Sequence, residues 1–144
     1  MVPGGGPDRP ATLRVMAPSP AAPRVQIFGL ENDRATRAAI RFFKERRFDI
    51  HLVDLRRKPL AAAELRRFVQ RLGPAALLDT GSRTYRDAGL GYLTMDDAAI
   101  VERLLADERL LRLPLVRYGE SVTAGPAETA WKSWLSAERA ARPT

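Results

Sequence analysis

The 144-residue chain reads as a single α/β domain. Three observations predict that class. The run Val25-Gln26-Ile27-Phe28 suits a buried strand and leads into a capped amphipathic helix. A second strand-like run, DIHLVDL at 49–55, follows that helix. A strand-turn-strand pattern then precedes a closing helix. Strands separated by a helix pair in parallel through a right-handed crossover, and strands joined by a tight turn pair antiparallel.

Ordered structure is expected from Arg24. The first 23 residues are rich in Pro, Gly and Ala and too poor in large apolar groups to offset the entropy of ordering, so they are expected to form a disordered tail. After the first strand, Asn32 or Asp33 caps a helix reaching about Arg47. Ala35, Ala39, Phe42 and Phe43 form its apolar face, and Arg34, Arg37, Arg41 and Lys44 its polar face. After DIHLVDL, Leu65, Phe68, Val69 and Leu72 recur at helical spacing, with Gly73 as the stop and Arg66, Arg67, Gln70 and Arg71 projecting elsewhere. PAALL suggests a short third helix. Thr94 and Asp97 are expected to cap a helix running through DERLL, with Ile100, Val101, Leu104 and Leu105 as its stripe. Leu115-Val116-Arg117, a Tyr-Gly-Glu turn and Ser121-Val122-Thr123 read as a hairpin. Pro126 opens a last helix to Leu135, and 137–144 reads as a C-terminal tail, leaving 24–136 as the domain. This order describes a sandwich of the thioredoxin type.

Composition narrows the chemistry. Zero cysteines exclude disulfides, thiolate metal sites and any protein-thiol nucleophile. No run approaches the roughly 18 apolar residues of a membrane span. Proline and arginine interrupt the N-terminal stretch, so no signal peptide is read and the cytoplasm is the expected location. Residues 25–58 hold nine basic and five acidic side chains, whereas 92–135 hold five and seven. The positive excess thus lies in the first half, which suits nucleic acid or an acidic partner. Only three of the 24 basic residues are lysine, a usage that also fits GC-rich coding.

The segment IFGLENDRATR at 27–37 places a strand-to-helix corner where small oxidoreductases hold a reactive thiol, since helix N–H groups and the helix dipole stabilise a thiolate there. Together with LRRKPLAAAELRRFVQRLG, ALL and TYRDAGL within 76–90, LLRLPLV at 110–116 and AGPAETAWKSWL, that segment resembles the arsenate reductase-like (ArsC/Spx) family of thioredoxin-fold proteins. The resemblance covers residues 25–135. It implies a four-stranded mixed sheet with flanking helices and a helical insertion, and a cis proline at Pro114 beside the thiol loop. It also puts the family's nucleophilic cysteine on Asp33 and the second cysteine of Spx-type switches on Thr36. The family's oxyanion-holding arginines fall near Asp79, on Leu113 and on Gly125. Of the family's site residues, Arg37 and Pro114 remain recognisable.

A carboxylate at Asp33 cannot cycle through a disulfide. Two readings fit it: a helix cap, or a negative charge filling the place of an oxyanion. Both oppose catalysis, so no catalytic residue is expected, and Asn32, Asp33, Arg37 and Pro114 are the former-site residues. No cofactor is expected. His51 has no second histidine or cysteine with which to hold a metal, and a structural role is expected for it. Tyr85 reads as a buried anchor, Trp131 and Trp134 as one docking face, and Asp96-Asp97 as a helix start. The basic clusters Arg46-Arg47, Arg56-Arg57-Lys58 and Arg66-Arg67, with the arginine faces of the first two helices, make Arg41, Arg66 and Arg67 the candidate partner surface, either a solvated face or a contact for an acidic protein. Nucleic acid is less favoured because no aromatics interleave the charges. Three functions stay open: an inactive family member working by protein contact, in transcription as Spx-type members do by binding RNA polymerase; a reductase or glutathione-binding enzyme with residual activity; and a basic nucleic-acid-binding domain.

Overall fold

The structure, a computed structural model, describes residues 23–141. The expected N-terminal tail lies outside the described residues, apart from its last residue, Pro23. Four strands form one sheet in the order β2-β1-β3-β4: β1 Arg24–Gly29, β2 Asp49–Asp54, β3 Leu115–Tyr118 and β4 Ser121–Ala124. β1 and β2 run parallel, from Arg24↔Asp49 to Gly29↔Asp54. β3 pairs antiparallel with β1 through Phe28↔Leu115 and with β4 through Tyr118↔Ser121. The sheet is therefore mixed, as the crossover and the hairpin require.

Side-chain alternation along the strands divides the core into two layers. Val25, Ile27 and Val116 face α1 (Arg34–Glu45) and α6 (Glu128–Ala141), where Ala39, Phe42, Phe43, Trp131 and Trp134 close a largely aromatic core. Phe43 is fully buried and meets Phe42, Phe48 and Trp131 at ring-centroid distances of 5.1, 5.0 and 5.2 Å. Each such pair contributes about 0.5–1.5 kcal/mol beyond its buried area. Trp131 also donates its indole N–H to Thr123 Oγ1 at 2.9 Å, so the α6 face expected from the two tryptophans docks on the sheet.

Phe28 and Leu115 point the other way, toward α2 (Ala62–Leu72), α3 (Pro74–Leu77) and the insertion. The insertion comprises α4 (Arg83–Asp87), α5 (Asp97–Ala106) and two single 3₁₀ turns. Phe68 of α2 meets Phe28 edge-on at 5.8 Å, and Gly73 ends α2 at φ 83°, a conformation that costs glycine little.

Several local expectations change. Thr36, not Ala35, completes the buried face of α1, because a carboxylate satisfies its hydroxyl. Asp96 caps α5 through Ala99 N–H at 2.8 Å, so neither Thr94 nor Asp97 holds that place. α5 stops at Ala106 because Asp107 leaves helical backbone geometry and caps the next 3₁₀ turn, leaving Leu105 43% exposed. α4 was not anticipated. At its start Ser82 accepts from Tyr85 N–H at 3.0 Å, and Tyr85 itself is half-buried against the core. Residues 137–141, expected as tail, continue α6.

Candidate functional site

β1 ends at Gly29, the chain turns with Asp33 N–H on Leu30 C=O at 3.0 Å, and α1 begins. Asp33 is the N-cap. Its Oδ2 accepts from both the backbone N–H and the hydroxyl of Thr36, each at 2.8 Å. Thr36 is 0% exposed and is the one buried polar side chain among the described residues. Burying a hydroxyl without a partner is costly, so the carboxylate is what makes Thr36 tolerable there. Gly29 supplies the space: a Cβ on it would stand 2.4 Å from Thr36 Oγ1 and 2.7 Å from Cγ2. Gly29, Asp33 and Thr36 thus interlock, and the two positions to which the resemblance assigned the family thiols are hydrogen-bonded to each other.

The other residues expected at a former site lie around this corner unevenly. Pro114 is buried, follows a cis peptide bond, and precedes Leu115, whose cross-strand partner Phe28 adjoins Gly29. Asn32 and Arg37 are exposed, and Arg37 forms no ion pair among the described residues. The sequence reading missed one residue, Arg112. Its stem lies over Gly125, where an added Cβ would come within 2.7 Å of it, and its Nη2 reaches Leu78 C=O at 3.4 Å. Gly125, at φ 74°, also donates to Pro114 C=O at 2.9 Å. A side chain at position 125 would meet both a strained backbone and Arg112. The available signal was an arginine two residues before Pro114 in the sequence; its contact with Gly125 requires the hairpin to be folded.

The candidate partner arginines do not share one face. Arg41 lies on α1 and Arg66 and Arg67 on α2, helices that cover opposite sides of the sheet. Arg67 approaches Glu64 at 3.5 Å. His51 is exposed, with Nδ1 3.2 Å from Gln26 Nε2. Among the described residues no group of three or more His, Asp or Glu converges as a metal site, and no helix is long and apolar enough to cross a membrane. The Asp107 carboxyl is held below the usual range, chiefly by hydrogen bonds from the Arg109 guanidinium, and it is remote in sequence from the corner.

A four-stranded mixed sheet covered by helices, with a capped strand-to-helix corner beside a buried cis proline, defines a thioredoxin-like protein of the arsenate reductase type. A model of the ArsC family matches residues 28–134, and the chain belongs to that family. Solved structures agree on the fold. The arsenate reductase from Vibrio cholerae superposes with a TM-score of 0.67 at 19% identity, over 77% of this chain and 98% of that one. An arsenate reductase (ArsC) related protein from Brucella melitensis gives 0.60 at 21% identity, over 77% and 93%. A protein named YffB gives 0.72 at 19% identity, over 77% and 98%. No curated protein matches the chain significantly in sequence.

Proposed function

We propose that this chain is a catalytically inactive ArsC-family member that works in the cytoplasm by contact with an acidic protein, in a transcription-related role. One observation carries the reading: Asp33 and Thr36, where the thiols of the family fall, are hydrogen-bonded to each other in a chain without cysteine. Thiol chemistry has no nucleophile there, whereas the corner still contributes cap and core stability. A kept fold with a closed corner and an arginine-rich surface favours binding over turnover.

The test uses the full chain as bait and compares three variants on whatever protein it captures. Asp33→Ala should lower stability and leave capture by the folded protein largely intact. Arg41→Glu alone and Arg66→Glu with Arg67→Glu separate the two sides of the sheet, and at least one of them should weaken capture and its dependence on salt. Capture abolished by Asp33→Ala and untouched by every charge reversal would place the contact at the corner and overturn the reading.

A further inference from the structure

The sheet side that carries α2 changes character along the strands. Val53, Phe28, Leu115 and Ala124 form one cross-strand row and pack under α2. Two residues back along β1, the next row on the same face is His51, Gln26, Arg117 and Val122. Its three polar members, with Val122 at the β4 end, floor a shallow groove. Three adjoining hollows of about 150, 480 and 140 Å³ share Arg117 and Gly119 on one side and Gln26 and His51 on the other. α2 forms one wall with Arg67, Gln70 and Arg71, the β3–β4 turn forms an end, and Lys58 stands at the opposite end.

Five cationic side chains line or flank the groove: Arg24, Lys58, Arg67, Arg71 and Arg117. Three carboxylates are interspersed, each on an arginine: Asp49 on Arg24 at 3.1 Å, Glu64 on Arg67 at 3.5 Å and Glu120 on Arg71 at 2.9 Å. Arg117 and Lys58 have no carboxylate partner among the described residues, and Arg117 Nε donates only to Gly119 C=O, at 3.1 Å. The groove is therefore cationic but mixed.

We propose that this groove is the docking site for an extended acidic peptide segment of the partner. The proposal rests on the contact reading above and gives it a location. Guanidinium forks at Arg117 and the α2 rim match carboxylates bidentately. The interspersed Glu64 and Glu120 accept hydrogen bonds from peptide N–H groups, and Gln26 both donates and accepts. A phosphodiester backbone has acceptors only, so those carboxylates would repel it. Single-stranded nucleic acid also needs aromatic platforms, and the rings bordering the hollows are Phe28, only 2% exposed, and the small imidazole of His51, which is engaged with Gln26.

Fluorescence polarisation of a labelled Glu-Gly-Asp-Gly repeat peptide with the full chain at low salt tests the site, with labelled oligo-dT of equal charge as the competing probe. The wild type should bind the peptide more tightly than oligo-dT, and binding should weaken as salt rises. Arg117→Glu and, independently, Gln26→Glu should each raise the Kd by about tenfold, while Arg41→Glu on the other side of the sheet changes it by less than about twofold. Circular dichroism melts establish that the variants fold; Arg117→Gln, the milder change, should show the same direction of effect. No peptide binding by the wild type, equal loss in Arg41→Glu, or tighter binding of oligo-dT would each overturn the groove. Loss in Arg41→Glu alone would leave the contact reading standing on another surface, whereas arsenate turnover would remove that reading whatever the peptide does.

Discussion

The two ends of β1 present opposite solutions to holding polar groups. At its C-terminal end, Gly29, Asp33 and Thr36 bury a hydroxyl completely and spend a carboxylate on satisfying it. About 10 Å away along the strand, by the rise per residue, Gln26, His51 and Arg117 line an open hollow, His51 exposed and the other two half-buried. The corner is closed and contributes to stability. The groove is open, and its charges cost little in the absence of a ligand because water solvates them. The resemblance puts the family's thiol at the first end, yet in this chain Arg117, which has no carboxylate partner among the described residues, lies at the second.

If the corner is a packed structural knot, substitutions there should be costly for stability. Gly29→Ala carries the largest expected effect, since the added Cβ collides with a side chain that is 0% exposed. Overpacking of this kind should cost about 2–3 kcal/mol, readable as a thermal midpoint lowered by roughly 10 °C. Retention of the wild-type midpoint would mean that Thr36 moves freely and the corner is loose. Asp33→Ala should follow at about 1–2 kcal/mol, because it removes the cap and strands the Thr36 hydroxyl. Asp33→Asn keeps an acceptor for the cap and should stay within about 0.5 kcal/mol of the wild type. Denaturant titration of the pair separates hydrogen bonding from charge: equal losses would show that the negative charge, not the cap, matters.

An ion pair elsewhere sets the small end of the scale. Asp107 accepts from Arg109 N–H at 2.9 Å and from Nε and Nη2 at 3.0 Å each. Its carboxyl is held below its ordinary value by the Arg109 hydrogen bonds, against a smaller opposing effect of burial. A carboxyl lowered in the folded state contributes stability above its unfolded value, and that contribution fades as pH falls through the lowered value. The Arg109 side chain is 68% exposed, so solvent screens the pair and Asp107→Asn should cost only about 0.5 kcal/mol at neutral pH, with the difference vanishing in acid. Melts of both proteins across acidic and neutral buffers check the sign; a difference that grew in acid would contradict it.

Local signals explain what could be read beforehand. Asp33 as a cap, the apolar period of α1 and α2, Gly73 as a stop and the β3–β4 turn all depend on residues within a few positions of one another. The burial of Thr36 is not legible locally because it depends on Asp33 and Gly29 meeting around it. Arg112 and Gly125 lie 13 residues apart and touch only across the folded hairpin. The groove was invisible for the same reason, since residues 26, 51 and 117 form a row only through strand register. Arg41 and the doublet Arg66-Arg67 read as one surface because the sequence does not show that α1 and α2 pack on opposite sides.

Steady-state arsenate reduction by the purified full chain, with glutathione and glutaredoxin as donors and then with thioredoxin, tests most directly the claim that contact has replaced thiol chemistry. The account predicts rates indistinguishable from a no-protein control in both systems, because no protein-thiol adduct can form at Asp33. Turnover clearly above that control, abolished by Asp33→Ala in a protein that still folds, would contradict it and return the corner to catalysis.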